Sequence, residues 1–104
     1  MKIGMRKRNV LALICAALAG SPAPAADIIK GGQAYAVHCA SCHGPRGVSV
    51  MPGAPNFARG ERLMQADFGL LAAIRNGRNA MPAYVGILSD REILDVIAYL
   101  RTLR

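Results

Sequence analysis

Residues 39–43 read Cys-Ala-Ser-Cys-His, and no other stretch constrains the chain as much. Two thiols three positions apart on one helical turn can add across the two vinyl groups of a single haem. The residue that follows then places an imidazole nitrogen under the iron. The alternatives need partners that the sequence does not offer. A redox Cys-x-x-Cys pair has no need of the following histidine and sits beside a βαβ pattern, which is not found. A tetrahedral zinc site takes four ligands. Beyond residue 26 the only Cys and His are His38, Cys39, Cys42 and His43, with each histidine next to a cysteine. The motif therefore predicts one covalently attached haem c, with thioethers at Cys39 and Cys42 and His43 as an axial iron ligand.

The 104 residues allow one small domain. Their net charge of +7 is concentrated at the start, where Lys2, Arg6, Lys7 and Arg8 precede any acid. An apolar run over 10–19 follows, Gly20-Ser21-Pro22 breaks it, and Ala23-Pro24-Ala25 puts small residues at alternate positions. That order is the order of a secretory signal peptide, and about ten apolar residues fall short of the about twenty that span a bilayer. Arg6 and Arg8 are separated by Lys7, which is not a twin-arginine signal, and Cys15 follows a bulky Ile14, unlike a lipoprotein cysteine. Residues 1–26 are thus expected to be a leader and 27–104 the domain, exported to the periplasm without stable membrane insertion after cleavage. From Asp27 onward nine basic residues face six acidic ones, a charge of +3. Two haem propionates would lower it further, so nucleic-acid binding is not indicated. The remaining 78 residues sit near the lower limit for a domain held by an apolar core alone. Both cysteines of that domain belong to the motif, so the haem is expected to complete the core.

Along the domain the pattern is helical. Asp27 is a plausible N-cap for a helix over 27–42, with Ile28, Tyr35 and Cys39 on related faces. Gly31-Gly32 costs about 1 kcal/mol per residue inside a helix. The pair either admits a second helix at close range or delays the helix start. Residues 44–60 hold three prolines and four glycines and read as loop. Within it, the Pro55 carbonyl is a suitable acceptor for the second ring nitrogen of a ligating histidine, and Phe57 would cover part of the macrocycle. The plainer reading is a surface turn with one buried aromatic. Leu63 and Met64 suggest a short helix. A clearer one runs over 67–76, with Leu70, Leu71 and Ile74 as its stripe and Gly77 as its stop. Ser89-Asp90-Arg91-Glu92 is a capping box, followed by Ile93, Val96, Ile97 and Leu100 at helical spacing.

Three methionines lie in the domain, and most methionines are core filler. Met51 is only eight residues past His43, Met64 is better suited to packing, and Met81 sits beside Pro82 in a loop between two helices. Met81 is the expected second axial ligand. With Gly31, Tyr35, the Cys39–His43 motif, the 53–57 turn, Asn76-Gly77, Met81-Pro82-Ala83-Tyr84 and the final helix in this order, the chain resembles a class I cytochrome c of the small bacterial single-haem type. The resemblance implies an all-α fold of three to four helices wrapped around one haem, with the first and last helices crossing near Gly31, Tyr35 and Tyr99. It also implies His43 and Met81 as axial ligands and the Pro55 carbonyl as the partner of the His43 ring N–H. The lysine-rich ring usual around an exposed haem edge is replaced here by arginines, Lys30 being the only lysine after residue 26.

The functional expectation is a monomeric electron carrier, not an enzyme, passing single electrons between periplasmic or membrane-bound redox proteins of a respiratory chain. Two axial ligands leave no open iron position, and a soft sulfur ligand favours Fe(II). The alternatives are a five-coordinate sensor or peroxidase-like protein, with Asn79 and Tyr84 as hydrogen-bond donors, and an accessory cytochrome for assembly of a larger redox enzyme.

Overall fold

The computed structural model describes residues 25–104. The expected leader, 1–26, lies almost wholly outside the described residues. Four helices follow in order: α1, Ile28–His38; the one-turn α2, Ala40–His43; α3, Asp67–Asn76; and α4, Asp90–Leu100. A 3-10 turn, Phe57–Arg59, interrupts the long loop between α2 and α3. Among the described residues the only β-pairing is a single bridge between Arg78 and Met81. No described helix is long and apolar enough to cross a membrane.

The helix ends follow from local chemistry. Asp27 caps α1 by accepting from the Ile29 and Lys30 amides at 2.9 and 3.0 Å, which satisfies amides that have no intrahelical partner. The Ser89 hydroxyl accepts from the Glu92 amide at 3.1 Å while the Glu92 carboxylate accepts from the Ser89 amide at 3.0 Å. This is the reciprocal capping box. α3 ends at Gly77, and α1 ends at His38, four residues before the expected boundary, with Cys39 joining it to α2.

The core lies between α1 and α4. Ile93, Val96, Ile97 and Leu100 line one face of α4 and are 0–2 % exposed, each burial being worth about 2 kcal/mol. Tyr35 of α1 packs against Tyr99 with ring centroids 5.3 Å apart. Gly31 makes this crossing possible: a Cβ there would overlap the Asp95 carbonyl and stand 2.9 Å from the Val96 nitrogen. The helix starts ahead of both glycines, so they serve close approach and do not delay the start. Asp95 itself is buried, and its carboxylate accepts from the Asp27 amide at 2.8 Å, tying the start of α1 to α4.

Two sequence expectations fail between α2 and α3. Residues 60–64 form turns, not a short helix. Within them Leu63 is buried while Met64 is 90 % exposed, so Met64 is not packing material. The cause is tertiary. Arg101, just beyond α4, donates to the Leu63 carbonyl at 2.6 Å and to the Gln65 carbonyl at 3.0 Å. Those carbonyls bond a distant side chain, and no helical ladder forms through residues 60–65.

Candidate haem site

A cavity of about 280 Å³ opens between α2, the 51–57 loop, α3 and the loop after it. Leu70, Ala73 and Ile74 of α3 and Leu100 of α4 form apolar wall, and Cys39, Cys42, His43 and Met81 reach the same space. The sequence pattern thus converges here, although α2 and the Met81 loop are far apart along the chain.

His43 is 8 % exposed and held from two sides. Its Nδ1 lies 3.2 Å from the Pro55 carbonyl oxygen. A carbonyl only accepts, so Nδ1 carries the proton and donates. Nε2 is left as the ring's lone-pair donor, the tautomer that metal-ligating histidines adopt. Phe57 stacks on the imidazole, centroids 4.5 Å apart and planes inclined by 22°. Phe57 therefore lies against the histidine ring, a closer relation to His43 than the covering role expected from sequence. α2 is in turn anchored by Tyr35, whose hydroxyl donates to the Gly44 carbonyl at 2.6 Å.

Cys39 and Cys42 form no disulfide. Burial, with a smaller contribution from Cys42, pushes the Cys39 thiol up to about 11. Its proton is held more tightly than that of an ordinary exposed thiol. No group of three or more His, Cys, Asp or Glu among the described residues is placed to hold a metal ion, which removes the zinc alternative. Two thiols one helical turn apart on an apolar cavity, with an oriented imidazole beside them, fit a covalently tethered haem.

Met81 is half-buried on a short reverse turn, where its amide donates to the Arg78 carbonyl at 2.9 Å and its carbonyl accepts from the Arg78 amide at 3.1 Å. The loop is stitched to α3 by the Tyr84 amide on the Ile74 carbonyl and the Val85 amide on the Arg75 carbonyl. It passes so close to Gly77 (φ 77) that a Cβ there would meet the Ala83 nitrogen at 2.8 Å and the Met81 oxygen at 2.9 Å. Met51 also borders the cavity but is more exposed, and Met64 does not border it.

Tyr84 is buried and its hydroxyl donates to the His38 carbonyl at 2.8 Å. Burial raises the Tyr84 phenol above its usual range, with the neighbouring cysteines adding to it. Its proton is thus committed to holding the end of α1. Sequence reasoning missed this tether, and also missed Arg62 on the cavity rim. Neither carries a periodic or motif signal.

The fold and cavity define a small helical haem domain of the covalently attached type. The family model described as cytochrome c oxidase, cbb3-type, subunit III matches residues 26–100. A cytochrome c6 from Thermosynechococcus vestitus is 36% identical over 103 residues, covering 91% of this chain and 90% of its own. One from Synechococcus sp. is 41% identical over 85 residues, covering 76% and 72%. The solved structure of cytochrome c6 from the diatom Phaeodactylum tricornutum superposes with a TM-score of 0.60 at 31% identity, over 73% of this chain and 92% of that one. The chain belongs to the class I cytochrome c family, and its cofactor is one covalently bound haem c.

Proposed function

We propose that this chain is an exported carrier of single electrons whose haem is tethered through Cys39 and Cys42 and ligated by His43 and Met81. The observation that carries the reading is the His43 ring. Its Nδ1 proton is committed to Pro55 at 3.2 Å and its face to Phe57, so Nε2 is the remaining donor, in the cavity that Met81 also borders. The haem supplies a one-electron Fe(III)/Fe(II) couple. His43 and Met81 would hold the iron from two braced segments: α2 is anchored through Tyr35, and the Met81 loop through its close passage at Gly77 and its bonds to α3. A thioether at the second position favours Fe(II) and raises the potential, and it leaves no coordination site for a substrate.

The five-coordinate alternative loses support because the Tyr84 hydroxyl is already engaged. The donor and acceptor are redox proteins, and the basic, apolar, small-residue order of the leader supports an exported, periplasmic setting. A role as a subunit or accessory of a larger redox enzyme is favoured by one observation, the oxidase-subunit description of the matching family.

Substitution at the methionines tests the reading. Met81→Ala should abolish the weak sulfur-to-iron charge-transfer absorption of the oxidised protein and lower its potential far more than Met51→Ala or Met64→Ala. Rapid carbon monoxide binding by the wild-type protein, or a large effect from Met64→Ala, would overturn it.

A further inference from the structure

The turn over 60–65 contains a conformational exception. Arg62 has φ 67, and among the described residues only Asn79 also adopts a positive φ without being glycine. A left-handed backbone is unfavourable for any residue with a Cβ and persists only where the surroundings enforce it. Here they do. Gln65 donates through Nε2 to the Arg62 carbonyl at 2.9 Å, Arg101 clamps the Leu63 and Gln65 carbonyls, and the Leu63 side chain is driven into the core. The fixed turn sets Arg62 and Gln65 on the rim of the haem cavity. Arg62 also borders the adjoining surface cleft formed with Gly53, Ala54, Pro55 and Glu61.

Among the described residues no carboxylate pairs with its charge, which is also true of Arg78 on the same cavity. Arg75, Arg91 and Arg101 each pair with a carboxylate. Arg62 pairs with none, and the neighbouring Glu61 carboxylate is turned to the Asn56 amide at 2.7 Å. An exposed arginine whose backbone is fixed by this turn at the rim of the cavity can present its guanidinium to an anion on the cavity side. The haem brings two carboxylates of its own, and the planar guanidinium fork matches a carboxylate in two parallel hydrogen bonds.

We propose that Arg62 is a positioning residue that receives a haem propionate, and that its charge raises the reduction potential. The proposal rests on the reading of the cavity as the haem site. A positive charge at the rim favours Fe(II), the state with less positive charge at the iron. Arg62 is exposed, and its effect rests on its place at the cavity rim, since the interaction between charges falls with distance.

The test uses the haem-loaded protein with Arg62→Gln, Arg62→Gly and Arg62→Lys, and with Arg59→Gln as an exposed arginine off the cavity. Loss of the guanidinium in the Gln and Gly variants should lower the equilibrium constant for reduction about three- to tenfold. It should also shift the propionate bending mode in the resonance Raman spectrum. Arg62→Lys should recover most of the potential, and Arg59→Gln should change neither reading. Glycine accepts φ 67 without strain, so Arg62→Gly should keep its unfolding midpoint while its potential falls, which separates a charge effect from misfolding. An Arg62→Gly potential equal to wild type, or an equal fall in Arg59→Gln, overturns the proposal. The sulfur-to-iron absorption of the wild-type sample reads the Met81 assignment separately, so failure of that ligand is not confused with failure at Arg62.

Discussion

Gly31→Ala is expected to destabilise the domain at its central helix crossing. The added methyl would overlap the Asp95 carbonyl and lie 2.9 Å from the Val96 nitrogen. Both are backbone atoms of α4, and a carbonyl inside a helix ladder cannot rotate away. The helices must therefore part where Tyr35, Ile93, Val96 and Ile97 are 0–1 % exposed. Overpacking of a tight core costs 1–3 kcal/mol, and an obstacle made of backbone puts this site at about 3 kcal/mol. Replacing glycine inside a helix returns about 1 kcal/mol, leaving a net loss of about 2 kcal/mol. With a urea dependence of about 1 kcal/mol/M for so small a chain, the midpoint should fall by about 2 M. Urea unfolding of the oxidised protein, followed by tyrosine or haem absorption, measures it. Gly32→Ala is the internal comparison, because its Cβ would meet only Tyr99 ring carbons at 3.0 and 3.1 Å, on a side chain that can shift. That variant should match or exceed wild-type stability. The reasoning is refuted if Gly31→Ala keeps the wild-type midpoint or if the two glycine variants behave alike.

Two further outcomes follow from the same geometry. Replacing both cysteines, Cys39→Ala with Cys42→Ala, should remove the tether and leave a chain with little tertiary order, seen as loss of near-ultraviolet dichroism, because about 80 residues bury too little apolar surface unaided. A cooperative unfolding transition of near-native stability in that variant would count against the haem completing the core. The Glu92 carboxylate is held below its usual range by hydrogen bonds from the Ser89 amide first and the Ser89 side chain second. A lowered acid stabilises only while ionised, so its contribution is present above the unfolded-state value and is lost as pH falls through the lower folded one. Glu92→Gln should therefore flatten the acid side of the stability profile, and an unchanged acid limb would show that the capping box adds nothing there.

What the sequence by itself determined is what lies within about five residues of its partner. The Cys39–His43 spacing, the Asp27 and Ser89 caps, the stripe of α4 and the Gly77 stop are all local, because caps and helical faces are made by neighbours in the chain. These elements settled an all-α domain built around one haem motif. The tertiary structure decided whatever depends on residues brought together from afar. Gly31 and Gly32 admitted two readings until α4 was seen against them, and Asp95 became a buried anchor only through the Asp27 amide 68 positions away. Met64 was placed in solvent and Arg62 in a left-handed turn by the grip of Arg101 on carbonyls 36 and 38 positions earlier. The Tyr84 hydroxyl is spent on His38, 46 positions before it. No periodicity encodes such pairings, since each arises only when packing has already fixed both partners in place.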